Sequence, residues 1–225
     1  MKVYQIEVSN LCNLSCSYCP LPIQKREKGL MSESIFEKSI ELLIKCGQQN
    51  AYLHNFGEPL LHPKLSSFIK YATERGVECN FFTNGILLNP SILSKLIEAG
   101  LKRICISEHS TDEYKRVSQI IQEYSFPIFI SSFFNPIESG THTWANQVLK
   151  IHNGNNINPL PCIFERQNAF VILWDGKISV CCIDVDGISN IGTVDDYLLE
   201  SKNYKFQQIS ICSECNLMRG EESLM

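Results

Sequence analysis

The chain has 225 residues, a formal net charge of −4 and a hydrophobic fraction of 44%. This length allows one domain with a buried core and a smaller appendage. The slightly acidic balance argues against nucleic acid as the main partner, because phosphate binding needs clustered Lys and Arg side chains. The short basic run at Lys25, Arg26 and Lys28 is interpreted as a solvated loop.

The sequence contains no apolar run of the ~18 residues needed to span a membrane. Glu7 lies where a signal peptide would be apolar, so we expect a cytoplasmic protein without a membrane partner. The cytoplasm keeps thiols reduced, so the eleven cysteines are not expected to form disulfides, and their high number points to metal binding by some of them.

The first 135 residues alternate between strand and helix patterns. Strands are predicted at 2–8, 51–55, 77–82, 103–107 and 127–133, and helices at 34–46, from 63 to Gly76, from 90 to Gly100, and at 111–124. Ser34 and Glu37 have the spacing of a capping box for the first helix. This alternation predicts parallel strands with right-handed crossovers, and five strands are too few for an eightfold barrel. We expect an α/β fold, either a partial barrel or an open sheet.

The pattern changes after residue 140. Residues 153–161 are rich in Asn, Gly and Pro, which is typical of a long loop. Asp175-Gly176 lies between two apolar runs and predicts a β-hairpin, and a short helix is predicted at 195–200. We therefore divide the chain into domains at 1–150 and 151–225.

Three cysteines, Cys12, Cys16 and Cys19, follow the first strand directly with C-x3-C-x2-C spacing. Three thiolates on one tight loop can hold three irons of a cubane cluster. The fourth iron then has an open position, as in metal sites that bind a substrate. A zinc knuckle, or a cluster completed by a distant cysteine, is the alternative interpretation.

The segment from Glu7 to Pro20 resembles the cluster loop of radical S-adenosylmethionine (SAM) enzymes. The resemblance implies a partial (β/α)6-type barrel whose 4Fe–4S cluster binds the amino and carboxylate groups of S-adenosylmethionine. One electron, from a flavodoxin- or ferredoxin-type reductant, would cleave the cofactor. The resulting 5′-deoxyadenosyl radical would abstract hydrogen from a substrate.

Further motifs support the resemblance and imply cofactor-binding residues. Gly57-Glu58-Pro59 is similar to the family's Gly-Gly-Glu-Pro motif, with Phe56 in place of the first glycine, and would meet the methionine amino group. Asn84 lies in a Thr-Asn-Gly signature. Tyr18 matches an aromatic that packs on adenine, and Ser107 matches a position that meets the ribose and carboxylate.

The tail cysteines resemble the Twitch and SPASM extensions of the family. The resemblance implies that an auxiliary 4Fe–4S cluster is held by four residues: Cys162, Cys181, Cys212 and Cys215. Cys182 is expected on the opposite face of a strand from Cys181, so only one of the two should ligate easily, and the spacing from Gly176 favours Cys181. A structural zinc site and free cysteines remain alternatives.

Two residues are candidates for direct catalytic roles. Glu7 would line the interior if Ser9 faces the cluster loop, where it could hold a polar substrate or pair with Arg103 or a lysine. Cys105 shares a strand face with Ser107 and could return a hydrogen atom to a substrate radical, or be a small apolar filler.

These patterns lead to three functional hypotheses. In the first, the protein is an enzyme that abstracts hydrogen from a polar small molecule or peptide, and the substrate radical is then oxidised or cross-linked with the auxiliary cluster as electron acceptor. This resembles the aminocyclitol dehydrogenases and peptide maturases of the superfamily. The second is a radical epimerase with a cysteine hydrogen donor, and the third is a non-catalytic iron–sulfur or zinc protein on the same scaffold.

Overall fold

The computed structural model of the chain describes residues 1–107, 111–124, 128–131, 162–200 and 210–213. The strands are β1 (Lys2–Ile6), β2 (Asn50–Tyr52), β3 (Glu78–Thr83), β4 (Arg103–Ser107), β5 (Ile128–Ser131), β6 (Ala169–Ile172), β7 (Lys177–Ser179) and β8 (Asn190–Thr193). The helices are α1 (Glu33–Lys45), α2 (Leu65–Thr73), α3 (Pro90–Glu98), α4 (Thr111–Tyr124), α5 (Ile163–Gln167), α6 (Val194–Leu199) and α7 (Ser210–Ser213). Among these described residues, no helix has the length and apolar character of a membrane span.

The strands form two four-stranded sheets. One sheet has the order β2-β3-β4-β5, and all its strands are parallel. The other has the order β1-β6-β7-β8, in which β6 is parallel to β1 and the remaining pairs are antiparallel. The predicted α/β class with parallel strands is confirmed, and so is the hairpin around Asp175-Gly176. The pairing of its first strand with β1 was not predicted.

The side chain of Gln48 joins the two sheets. It accepts a hydrogen bond from the Val3 N–H (2.7 Å) and donates one to the Val3 carbonyl (2.9 Å), just before β2 begins. It thereby gives β1 the two backbone bonds that a neighbouring strand would supply. A second link lies further along β1, where Gln5 and His54 are 3.0 Å apart at their Nε2 atoms. Side chains therefore bridge β1 to the β2 edge.

One large hydrophobic core supports both sheets. On the helical side, Phe36 stacks on Phe68 with ring centroids 4.1 Å apart. Phe170 and Tyr197 come from the tail and belong to the same core, with ring centroids 5.6 Å apart. The described part of the tail therefore shares its packing with the first 107 residues. The domain division near residue 150 stays a prediction.

The helix ends follow local chemistry. Ser32 caps α1, because its side chain accepts a hydrogen bond from the Ile35 N–H at 3.3 Å. The capping box predicted at Ser34 and Glu37 is therefore wrong, since the helix already begins at Glu33 and places Ser34 inside its first turn. A capping box does occur at α6, where Thr193 and Asp196 exchange hydrogen bonds.

Candidate functional site

The loop that follows β1 carries the cysteine triad. Cys12, Cys16 and Cys19 are half-buried thiols that form no disulfide bond. The Cys19 N–H donates to the Cys16 carbonyl (3.0 Å), which closes a tight turn, and the Leu14 N–H donates to the Cys12 sulfur (3.4 Å). Backbone bonds within the loop therefore keep the three thiols on one short segment.

Burial and neighbouring acidic groups raise the pKa of two triad thiols, Cys12 and Cys19. Burial raises the pKa of Cys12, and Glu58 and Cys16 raise it further. Burial likewise raises the pKa of Cys19 to about 11, with contributions from Cys16 and Cys12. Within the described residues, no three His, Cys, Asp or Glu side chains converge on one metal ion. A cubane presents several irons to its thiolates and so needs a wider set than a single ion does.

Gly57 allows the loop after β2 to pack directly against the start of the cysteine loop. Its φ is +87°, and a Cβ atom there would lie 2.4 Å from the Ser9 carbonyl oxygen and 2.8 Å from the Leu11 oxygen. The next residue, Glu58, donates its N–H to the Leu11 carbonyl at 2.7 Å. Only glycine fits this contact without displacing the backbone.

The Glu58 carboxylate is buried and ties together the ends of two strands. One oxygen accepts from the Leu60 N–H (2.9 Å) and the Thr83 hydroxyl (2.7 Å), and the other accepts from the Asn84 N–H (2.9 Å). Burial raises the pKa of Glu58, and these three donors act in the opposite direction. Pro59 is also buried and begins a short 3₁₀ turn. The hydrogen bonds of the motif therefore fix its position beside the triad.

The other predicted cofactor-binding residues lie around the same edge. Asn84 donates from its side chain to Asn13 Oδ1 (2.8 Å) and lies 4.0 Å from the Cys12 sulfur. Tyr18 is half-buried, and its pKa is raised by burial and then by a hydrogen bond with Cys16. Ser107 ends β4, as predicted. The structure brings Cys12, Glu58 and Asn84 together. The cofactor-binding roles of all these residues, and those of Tyr18 and Ser107, stay predictions.

Glu7 is held in a buried ion pair. Arg26 Nη1 and Nη2 donate to its two carboxylate oxygens at 2.7 and 2.5 Å, and the Trp174 N–H adds a bond at 3.3 Å. The Glu7 and Arg26 side chains are 0% and 12% exposed. The expected pairing of Glu7 with Arg103 or a lysine is therefore wrong, and so is the solvated setting expected for Arg26. Burial raises the pKa of Glu7, and Arg26 opposes that shift.

Arg103 has different contacts. Its Nε donates to Asn80 Oδ1 (3.0 Å) and its Nη2 lies 3.4 Å from the Tyr52 hydroxyl. The strand register explains these contacts, because Tyr52, Asn80 and Arg103 are direct neighbours across β2, β3 and β4. The assignment of Glu7 to substrate binding stays a prediction. Its carboxylate already accepts hydrogen bonds from Arg26 and Trp174.

A turn of the tail packs against the triad. Val185 is buried in a small cluster with Leu21 and Phe56, against which Cys12 and Cys19 pack. The turn is organised by the buried Asp184, whose Oδ2 accepts from the Ser179 hydroxyl (3.0 Å) and the Ser189 N–H (2.8 Å). Phe56, the departure from the family's glycine, therefore fills the contact between this turn and the cysteine loop.

The tail cysteines also come together. Four of them pack against the same apolar cluster in the tail: Cys162, Cys181, Cys182 and Cys212. Burial raises the pKa of Cys162, and Cys181 raises it further. Tyr4 on β1 packs beside them, and its pKa is raised to about 12 by burial and then by Cys182, Tyr52 and Cys181. Cys215 lies outside the described residues.

The arrangement of Cys181 and Cys182 differs from the expected one. The strand β7 ends at Ser179, so both cysteines lie in the turn that follows it. Both pack against the same two apolar clusters, and a hydrogen bond between their side chains is the largest cause of the raised pKa of Cys181. The prediction that they point to opposite faces of a strand is therefore wrong.

Cys105 occupies the middle of β4. It is half-buried on the same face as Arg103 and Ser107, whereas Ile104 and Ile106 are buried on the other face. Burial raises the pKa of Cys105, and Arg103 lowers it. The thiol is therefore protonated at neutral pH.

Sequence analysis missed two polar residues that shape the site, Asn10 and Arg26. Asn10 is buried and donates from its side chain to Gln24 Oε1 (2.9 Å) and the Glu27 carbonyl (2.8 Å), while its own oxygen accepts from the Gly29 N–H (2.7 Å). The one available signal was their position, since both lie in the segment that flanks the triad.

A family model described as Radical SAM superfamily matches residues 6–149, which include the triad and all the motifs after β2, β3 and β4. Two curated relatives match over stretches of just over a hundred residues. An S-adenosyl-L-methionine-dependent 2-deoxy-scyllo-inosamine dehydrogenase from Niallia circulans is 30% identical over 115 residues, which cover 49% of this chain and 46% of that protein. A PqqA peptide cyclase from Granulibacter bethesdensis is 27% identical over 108 residues, covering 47% and 28%.

The chain thus spans about half or less of the length of these curated relatives. Among solved structures, BtrN in complex with AdoMet and 2-DOIA matches with a TM-score of 0.67 and 22% identity, over 87% of this chain and 80% of that chain. At this identity the likeness concerns the fold.

Proposed function

Since this chain belongs to the radical SAM superfamily, we propose that it is an enzyme that abstracts hydrogen from a polar small molecule and then oxidises the substrate radical. The family implies a 4Fe–4S cluster and S-adenosylmethionine, which together supply a 5′-deoxyadenosyl radical when bound. Cys12, Cys16 and Cys19 would hold that cluster. Members of the superfamily act on small molecules and on peptides, and the dehydrogenase from Niallia circulans supports the small-molecule choice.

One observation carries the oxidative part of the proposal. The tail folds so that Cys162, Cys181, Cys182 and Cys212 pack around one apolar cluster beside β1. A second cluster held there would accept the electron that the substrate radical loses, and the proton would leave to solvent or to a nearby base. Cys181 or Cys182, with Cys162, Cys212 and Cys215, would form the ligand set. A flavodoxin- or ferredoxin-type protein would supply the first electron.

Other residues of the chain would position the cofactor or shield the triad from solvent. Glu58 and Asn84 have side chains directed to the edge where the triad lies, and they would orient the methionine part of the cofactor. Phe56, Leu21 and Val185 pack against Cys12 and Cys19 and would limit the access of water to a cluster bound there.

Metal counting tests the proposal. After anaerobic reconstitution, we expect about eight irons and eight sulfides in the wild type, and about four of each in a triple Cys12/Cys16/Cys19→Ala variant. A Cys181/Cys182/Cys212→Ala variant should also retain about four, and Cys46→Ala, outside both sets, should retain about eight. Four irons in the wild type with zinc in the tail would remove the electron acceptor and overturn the oxidative step.

A redox-neutral epimerisation is the second candidate, and Cys105 is the observation that favours it. A hydrogen-atom donor needs an intact S–H group, and the half-buried Cys105 lies on the same face of β4 as Ser107, where burial raises its pKa. If this candidate is correct, Cys105→Ala abolishes product formation while 5′-deoxyadenosine is still released. If the oxidative proposal is correct, Cys105→Ala retains both.

A further inference from the structure

The tail turn at residues 184–186 and the segment that follows the triad are joined by a set of hydrogen bonds. The Val185 carbonyl accepts from Arg26 Nε and from Gln24 Nε2, both at 2.8 Å. The Lys25 N–H donates to Asp186 Oδ1 at 2.6 Å. Three consecutive residues of the segment therefore bind two consecutive residues of the tail.

Arg26 is the member of this set that reaches a third element. Its Nη1 and Nη2 bind the Glu7 carboxylate just after β1, and its Nε binds the tail. A guanidinium suits this position because its donors are arranged in a rigid planar fork. Glu7 is fully buried, so it needs a cationic partner to remain ionised.

The tail turn contacts the triad through the side chain of Val185. Val185 is buried against Leu21 and Phe56, and this cluster packs on Cys12 and Cys19. Arg26 binds the backbone carbonyl of Val185, while the Val185 side chain makes the apolar contact. One residue therefore connects the ion pair to the apolar cluster at the triad. Displacement of the turn would expose the two sulfur atoms to water.

We infer that Arg26 is a positioning residue for the cysteine triad: by bridging Glu7 and the Val185 carbonyl, it holds the tail turn as a water-excluding wall over Cys12 and Cys19. The wall controls the reduction potential of the triad cluster. Solvent exposure stabilises the more highly charged reduced form, and so raises the potential. The inference rests on the triad and is independent of whether the tail binds a second cluster.

The experiment uses the reconstituted full chain and a charge-neutral double variant, Glu7→Gln with Arg26→Gln. Neither glutamine can span both partners, and no buried charge is left unpaired. We expect the midpoint potential of the triad cluster, followed by EPR in a redox titration, to shift in the positive direction. We also expect the cluster absorbance to bleach several-fold faster in air.

Two further variants separate the effect of the wall on the potential from the effects of the ion pair and of overall charge. Val185→Ala keeps Glu7 and Arg26 and should shift the potential in the same direction. Lys25→Gln removes a positive charge from the adjacent exposed side chain but keeps its backbone bond to Asp186, and it should leave the potential and the bleaching rate unchanged. If the Val185→Ala and double variants both retain the wild-type potential, the inference is overturned.

Hydrogen–deuterium exchange of the iron-free chain supplies a readout that does not depend on the cluster. In the double variant, peptides covering residues 20–28 and 183–189 should both exchange faster, while those of α1 stay protected. Unchanged exchange in both segments would show that Arg26 does not hold them, and would equally overturn the inference.

Discussion

The cysteine triad and the tail cysteines reach their positions by different routes. Cys12, Cys16 and Cys19 lie on one loop whose shape is set by neighbouring backbone bonds and by Gly57. The tail cysteines are spread from Cys162 to Cys212 and meet only because α5, the hairpin and α7 pack together. A metal set that is local in sequence can be identified from spacing, whereas a dispersed set depends on the fold being formed first.

The largest expected difference between the two regions is in cofactor cleavage. Cys12→Ala removes a cluster ligand and should lower 5′-deoxyadenosine release by at least about a thousandfold. Cys162→Ala should keep release within a few-fold of the wild type while substrate oxidation is lost. Anaerobic assays with dithionite and HPLC detection of the nucleoside check both. Equal loss of release in the two variants would contradict the separation of roles.

A smaller difference is expected in the loss of folding stability when two glycines with positive φ are replaced by alanine. Gly57→Ala places a Cβ 2.4 Å from the Ser9 carbonyl oxygen, and should lower the free energy of unfolding by about 3 kcal/mol. Gly187→Ala, beside the tail turn, places a Cβ 3.1 Å from the end of the Leu173 side chain and 3.8 Å from Arg26 Cδ, and should lower the free energy of unfolding by about 1 kcal/mol.

Urea unfolding of the iron-free chain measures both glycine variants, with the midpoint and the m-value reported for each. Equal losses for Gly57→Ala and Gly187→Ala would show that the close contact at Gly57 relaxes at little cost.

The smallest expected effect concerns pH. Burial lowers the pKa of His54 to about 3, so the folded chain keeps this ring neutral when the unfolded chain takes up a proton. The stability from His54 is fully present above about pH 6.5 and is lost as pH falls, by at most about 1.4 kcal/mol per pH unit. The stability of His54→Gln should therefore fall less steeply from pH 7 to pH 5.

Because His54 contacts Gln5 and the Phe82 N–H, acid should act on the region of β1 to β3 before the tail. Thermal unfolding at several pH values gives the slopes, and His62→Gln is the comparison, since burial also lowers the pKa of His62. Parallel slopes for the wild type and His54→Gln would contradict a neutral buried His54.

Much of the fold of the first region follows from local pattern. The bounds predicted for β4 and α4 agree with the structure, because Arg103–Ser107 alternates cleanly and the α4 segment has an acidic first turn. The neighbour of β1 could not be predicted. A four-residue apolar strand such as β6 contains no signal of its partner, and the residues between them are too many for a local rule.

The candidate site was predictable where motifs follow strands, as at Cys12, Glu58 and Asn84. The supporting contacts were not, because a charged residue in a polar loop is usually solvated. Arg26 is largely withdrawn from solvent because Glu7 and the Val185 carbonyl, which are distant in sequence, converge on it. Such polar contacts depend on tertiary structure rather than on spacing.

The pairing of β1 with β6 also determines when the site can form during synthesis. Ala169 leaves the ribosome roughly ten to thirty seconds after its partner Lys2 at ordinary translation rates. Until then β1 lacks its sheet neighbour, and the turn that covers Cys12 and Cys19 has not been made. A cluster assembled on the nascent triad would therefore lack the cover of Val185 until the hairpin has folded onto β1.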